Sequence, residues 1–460
     1  MSHSSHSTIR DIQQDMYFGT EVLNRVSFLR EDNEFITQSI FHPSTRFIFY
    51  QRQKPLIHNK NKLTILTNGS NQINLTELNH GKVGFSSDTG KLSIQTGLFD
   101  GIPQWKSILH TWNNDNRNQS VTIRSGNKPV FLFLGLLDES VGLDLYSLKF
   151  DDECSDEKYL DHQGRYQGIA YYAVDITPNQ ELSDSIISFV NNYINQASQT
   201  PEKSPLDNGI FFTHSRKHFL GFEHKEASLF SHGAMFFHWL NKNRFCPGCG
   251  EPTIPIHAGG KLYCTNTKID INEDDPEGEG EKFACPVKSS HVANVSFPRT
   301  DMAIISTIAS RDRSKILLSL SKRYAITKMY SCTAGFMEPS ETVEIATKRE
   351  IWEETGVNCS EIDIIMTQPW PFPSNLMIGC MGIVDFNGEN ESIHLGHDNE
   401  LSDARWFDTD FVRKLIYPDE LSEGEKGEFN PEGILLPMPE SIAFQLIKLV
   451  VDEANKKHKL

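Results

Sequence analysis

The sequence predicts an α/β protein built of several modules. Three observations carry this: strand-length apolar runs recur in both halves, as at 130–137 and 316–320; a Glu-rich segment with helical spacing follows such runs near 341–355; and four cysteines separate the halves. At 460 residues the chain exceeds one ordinary hydrophobic core, so two or three domains are expected.

Composition narrows the class. With 38% hydrophobic and 23% charged residues, and no apolar run of bilayer-spanning length, a soluble globular protein that does not enter a membrane is expected. The opening MSHSSHSTIR lacks the apolar stretch of a secretory signal, which makes a reducing compartment the expectation and disulfides the weaker use of the eight cysteines. A net charge of −17, from 44 Lys and Arg against 61 Asp and Glu, argues against broad attraction to nucleic acid or anionic membranes. It leaves room for a local basic cleft.

In chain order, residues 1–15 read as a flexible polar tail with too little apolar surface to order. A mixed α/β domain follows at 16–226, its strands expected at 47–50, 130–137 and 169–174, with an Asn-rich loop or hairpin end at 68–79. A helix and a cysteine module occupy 227–296; Phe230, Ala234 and Phe237 mark the buried helix face. The last module, 297–460, opens with strands at 303–308 and 316–320 and carries an acidic, Gly-bearing loop near 422–433.

The densest pattern is G-x5-E-x7-R-E-U-x-E-E-x-G-U, U being a bulky apolar residue: Gly335, Glu341, Arg349, Glu350, Ile351, Glu353, Glu354, Gly356 and Val357. With Ser340 as N-cap and Gly356 as stop, 341–355 should be helical, placing Glu350, Glu353 and Glu354 on one patch. Three carboxylates so placed repel unless cations lie between them, and hard oxygen ligands suit Mg²⁺ or Mn²⁺. The plainer alternative is a solvated acidic helix face. The segment resembles the signature of the Nudix hydrolases. That resemblance implies an α/β/α sandwich with a mixed sheet and hydrolysis of a P–O–P bond. It further implies Glu350, Glu353, Glu354 and the carbonyl of Ala334 as metal ligands and an Arg349–Glu341 pair; the motif leaves the general base open, and Glu354 is the favoured reading.

Ten residues beyond the signature, Thr367-Gln368-Pro369-Trp370-Pro371-Phe372-Pro373-Ser374-Asn375 alternates prolines with aromatic rings. An extended backbone presenting flat faces to a heterocycle is expected, against a plain proline-rich linker. The array is similar to the S-Q-P-W-P-F-P-x-S of the NADH pyrophosphatase branch, with Thr367 and Asn375 replacing serines. The likeness implies a substrate contact at each of Gln368 to Asn375. Phe297-Pro-Arg-Thr-Asp301 resembles the family's Y-P-R-x-D-P and implies Phe297 as a ring that stacks on substrate. Glu400-Leu-Ser-Asp-Ala-Arg-Trp406 resembles E-x-x-E-A-x-W and implies Glu400 as a further ligand. Ala443 matches a position that closes over substrate, and Phe18 to Arg30 resembles the family's N-terminal region.

Cys246-Pro-Gly-Cys249-Gly250 forms a knuckle that Cys264 and Cys285 could complete as a tetrahedral Zn²⁺ site. The family resemblance implies a four-cysteine zinc site here; free cysteines or a disulfide pair are the alternatives. Four sulfurs would leave no open position, so this metal would be structural. His257 reads as a loop residue, and Cys154, Cys332, Cys359 and Cys380 as ordinary core or surface. The resemblance therefore implies an NADH/NAD⁺ diphosphatase yielding NMN(H) and AMP. The same site acting on NAD-capped RNA is the alternative, and a non-catalytic nucleotide-binding protein the third reading. A homodimer is expected by analogy with the family. The terminal His458-Lys459-Leu460 resembles the peroxisomal S-K-L with His in place of the small residue, leaving peroxisome and cytosol both open.

Overall fold

The computed structural model describes residues 16–58, 61–69, 97–124, 127–143, 158–197, 209–270, 282–283, 285–289, 297–397, 399–420 and 429–457. The expected tail 1–15, most of the Asn-rich segment, the interval 271–281 and most of the acidic loop near 422–433 lie outside them. No described helix is long and apolar enough to cross a membrane.

The chain divides into two compact units, Glu21–Arg299 and Thr300–Leu460 together with Met1–Thr20. This division differs from the modules drawn on the sequence: the cysteine module belongs with the first domain, and Met16–Thr20 joins the C-terminal unit.

In the unit Glu21–Arg299, Arg46–Gln51 runs parallel to Tyr166–Asp175, which pairs antiparallel with Val130–Leu137; short strands extend the sheet to eight. Helices Asn33–Phe41, Trp105–Arg117 and Gln180–Ala197 accompany the sheet. Phe47, Trp105, Phe131 and Tyr172 form its aromatic centre. Such a run of buried rings explains why these strands read as unbroken apolar segments. Helix His224–Lys242 lies close on the sheet because it carries Gly233, where a Cβ would sit 2.6 Å from the Tyr50 hydroxyl.

The C-terminal unit is the expected α/β/α sandwich. Its mixed sheet has the order Glu361–Trp370, Asn375–Val384, Asp301–Ser310, Lys315–Ser321, Leu401–Asp408, with Thr333–Phe336 also paired to Asp301–Ser310. Among its described strands, only Asp301–Ser310 and Asn375–Val384 run parallel. The strand period of two sends neighbours to opposite cores. Ile308 and Leu317 join the cluster with Ile351 of the glutamate helix, Val343–Thr355; Ala309 and Ile316 join the one with Leu446 and Ile447 of helix Ile442–Lys457.

Candidate active site and cysteine cluster

The Glu-rich segment forms the helix Val343–Thr355, with Thr342 as N-cap accepting from Ile345 N and Gly356 ending it at φ 75°. The expected start at Glu341 behind a Ser340 cap is corrected. Ser340 takes a left-handed φ of 75°, and the Glu341 carboxylate accepts from Glu338 N at 2.8 Å, so the chain makes one more turn before Thr342 caps the helix.

Arg349 organises the acids. Its guanidinium donates to both oxygens of Glu341 at 2.6 and 2.9 Å, while Nη1 donates to Glu350 at 2.7 Å and to Glu353 at 2.8 Å. The two-pronged pair holds the Glu341 carboxyl down at about 2, aided by the Glu338 amide, so Glu341 stays ionised and acts as the brace. Partial burial pushes the Glu350 carboxyl up against the pull of Arg349, a cost that a nearby cation would relieve. Glu354 is only 5% exposed, which removes it from the solvated-face alternative.

Gly335 is the seat of Glu350. A Cβ there would lie 2.1 Å from Glu350 Oε2, so only the bare Cα lets the carboxylate lie against strand Thr333–Phe336, at the residue after Ala334. A carboxylate held against backbone, beside two further glutamates, is a donor set of hard oxygens that fits a divalent cation. Gly335→Ala should therefore displace Glu350 and lower turnover by about 100-fold while the fold persists, measured as kcat beside the thermal midpoint.

The strand register connects this seat to the aromatic segment. Gly335 lies opposite Ile304, and Asn375 opposite Asp301, on the two sides of one strand. Their partners on that strand are three residues apart, about 10 Å along its axis, and two inter-strand spacings of about 4.8 Å each lie across it. The wholly extended ridge is corrected to a hairpin tip: Glu361–Trp370 ends, 371–374 turn, and Asn375 pairs back to Trp370. Trp370 and Phe372 meet edge to face at 5.2 Å. Pro373 is exposed and Pro369 half-buried, whereas Pro371, Ser374 and Asn375 are buried.

Gln368, expected to touch substrate, serves in the fold as a tie. Fully buried, its amide donates to the carbonyls of Tyr17 and Glu440 at 3.0 and 2.8 Å and its oxygen accepts from Ile442 N at 2.9 Å, leaving it occupied by backbone. Ala443, expected to close over substrate, is 5% exposed and packs in the core with Leu446 and Ile447. Phe297 belongs to the other unit, exposed beneath the Lys261 ammonium at 5.5 Å.

Two contacts escaped the sequence reading. The ring of Phe18, 2% exposed, stands edge to face against Trp370 at 5.8 Å and Phe372 at 5.7 Å, so Met16–Thr20 forms a strap against the hairpin tip. The likeness of Phe18 to a family position was the available signal. Phe18→Ala should loosen the tip and raise KM for a dinucleotide about ten-fold with a smaller change in kcat, as read from initial rates. On the glutamate helix, Trp352 stacks on His397 at 4.1 Å, and Thr355 O accepts from His394 N at 2.7 Å. These pin the loop that leads to Glu400. Glu400 itself is exposed, its carbonyl bound by Lys322 N at 3.1 Å, and among the described residues no hydrogen bond or ion pair joins its side chain to the Arg349-centred acids.

The four cysteines converge. Cys246, Cys249, Cys264 and Cys285 place their sulfurs within 4.8 Å of one another, the only such group of three or more metal-binding side chains among the described residues. Gly250, at φ 79°, turns the knuckle and donates its N–H to Cys246 O at 2.8 Å; Cys264 ends strand Lys261–Cys264 and Cys285 precedes helix Pro286–Ser289. The sulfur atoms stand 3.5 Å apart in two pairs, 246 with 285 and 249 with 264, and none is in a disulfide. A soft, closed four-sulfur set fits structural zinc. His257 lies in the intervening hairpin turn, beside Glu31 at 3.3 Å.

Residues 300–424 match the NUDIX domain, and residues 241–270 match the NADH pyrophosphatase zinc ribbon domain. The chain is 36% identical over 444 residues, 96% of it and 97% of the relative, to the NAD-capped RNA hydrolase NPY1 of Saccharomyces cerevisiae. It belongs to the Nudix hydrolases. The NAD-capped RNA hydrolase of Schizosaccharomyces pombe is 28% identical over 94% of the chain and 92% of the relative. Human NAD-capped RNA hydrolase NUDT12 is 32% identical over 60% of the chain and 52% of the relative. As a Nudix hydrolase the chain is an enzyme, with a divalent cation implied at the glutamate helix and zinc at its ribbon.

Proposed function

We infer that this Nudix hydrolase cleaves the pyrophosphate of NADH or NAD⁺, giving NMN(H) and AMP. The observation that carries this reading is the register placing the Glu350 seat and the Trp370–Phe372 tip toward the same end of one sheet, on strands that flank Asp301–Ser310. That arrangement suits a dinucleotide whose heterocycle lies on the rings while its phosphates reach the acids.

Glu350, Glu353 and Glu354, with the Ala334 carbonyl and Glu400, would hold Mg²⁺ or Mn²⁺, which when bound polarises a phosphorus and lowers the pKa of water. Arg349 aims Glu350 and Glu353 by donating to both, with Glu341 anchoring it in turn. Glu354 takes the proton of the attacking water as general base. Water oxygen bonds to one phosphorus, the bridging oxygen leaves, and two phosphomonoesters result. Trp370 and Phe372 orient the heterocycle, steadied by the Phe18 strap.

The second reading, removal of an NAD cap from RNA by the same site, is favoured by the names of the relatives, two of which match the chain over nearly its whole length. Turnover of NADH, NAD⁺, ADP-ribose, diadenosine polyphosphates and capped RNA at matched concentrations decides between them. Dominant cleavage of diadenosine polyphosphates would displace both. A homodimer and a peroxisomal or cytosolic location complete the proposal. Sedimentation tests the first, and a fluorescent fusion with or without the last three residues tests the second.

A further inference from the structure

In the unit Glu21–Arg299, away from the glutamate helix in sequence, a cavity of about 320 Å³ opens among Arg52, Arg124, Lys128 and Arg244. Four cations around one cavity stand out in a chain of net charge −17. Lys128 is paired with Asp115 at 2.7 Å, but among the described residues no carboxylate pairs with Arg52, Arg124 or Arg244. Asp175, the one acid of the lining, is occupied: its carboxylate accepts from Thr177 N at 2.9 Å and from the Thr177 hydroxyl. Burial, with Arg244 close by, brings the Arg124 guanidinium down to about 10, as expected of a cation lacking an anion.

The backbone supplies a separate observation. Arg52 and Gln53 form the two-residue turn between Arg46–Gln51 and Lys54–His58, at φ 50° and 64°. Turns of this kind normally take Asn-Gly, and two consecutive side-chain-bearing residues there hold the left-handed conformation at a cost. Both line the cavity, and Arg52 N donates to Thr177 Oγ1 at 2.6 Å, fixing the turn at its rim. Val130 and Pro178 give the cavity an apolar side.

We propose that this cavity binds a phosphorylated nucleoside, its phosphate between Arg52, Arg124 and Arg244 and its base against Val130 and Pro178. The volume lies at the lower end of small-ligand pockets, which suits one nucleotide. The nucleotide is either free or one unit of an RNA strand. The site is independent of the active-site reading and stands or falls separately.

Equilibrium dialysis of labelled AMP against full-length, zinc-loaded protein carrying Trp370→Ala, which weakens binding at the hairpin tip, tests the proposal. AMP binds and adenosine does not; adding Arg52→Glu and Arg244→Glu weakens AMP about ten-fold or more with an unchanged thermal midpoint. Arg52 and Arg244 are exposed, and the milder Arg52→Gln gives a smaller loss in the same direction if the double reversal perturbs folding. An uncapped RNA oligonucleotide that displaces AMP, with a salt slope reduced by about 0.7 per cation removed, assigns the site to an RNA strand. Displacement by mononucleotides alone assigns it to a free nucleotide. Unchanged AMP affinity in the reversed variant, or adenosine binding as tightly as AMP, overturns the proposal.

Discussion

Glu353→Gln and Glu354→Gln are each expected to lower NADH turnover by about 100-fold to 10,000-fold without unfolding the protein. The exchange is nearly isosteric, but it removes a negative charge where a cation is to be held. Glu353 is half-buried and shares Nη1 of Arg349 with Glu350, so losing its charge should leave the Arg349–Glu341 brace in place. Glu354 is buried, and Gln there should lose both a ligand and the proposed proton acceptor. Steady-state kinetics across a Mg²⁺ and Mn²⁺ titration, beside a thermal melt, give the two readouts. Turnover at the wild-type level in both variants would remove the hydrolytic assignment of this helix and favour a nucleotide-binding role. Loss of turnover together with loss of the melt would instead mean that the acids support the fold.

Removing the ribbon metal should have the other large effect, on stability. Cys246 and Cys285 are buried with their sulfurs 3.5 Å apart, and they tie the knuckle after helix His224–Lys242 to a segment 39 residues further on. Without zinc, thiols crowded in a buried site have little to hold them together, and metal binding in such ribbons is itself folding energy. Cys285→Ser is expected to cost more than the roughly 0.5–3 kcal/mol of an ordinary substitution. The thermal midpoint should fall by about 10 °C or more. Metal analysis should find one zinc per chain in the native protein and less in the variant. A full zinc complement with an unchanged melt in Cys285→Ser would show that the four sulfurs do not form the site.

Local pattern made much of this legible. The alternation that sends Ile308 and Ala309 to opposite cores is a two-residue rhythm, and the positive φ of Gly356 and Gly250 follows from the residue type at a helix end and a knuckle. The glutamate spacing and the Trp370–Phe372 array lie within short stretches, so their chemistry could be read before any fold was known. Helix bounds were less secure: Ser340 and Thr342 are both good caps, and the choice fell to Thr342 because Glu341 is drawn back to Glu338 N and Arg349.

The sequence by itself determined which chemical groups this protein owns and the family in which they work: hard oxygens on one helix, rings beside prolines, four thiols. Tertiary structure decided which of them are available. Gln368 lies inside the substrate-like motif yet is consumed by Tyr17, 351 positions away, and by the backbone around Ile442. Arg52, Arg124 and Arg244 are scattered along the chain and become a cluster only around one cavity. The reason is physical: spacing along a chain fixes directions over a turn or a strand, while burial and encounter between distant residues depend on how whole elements pack.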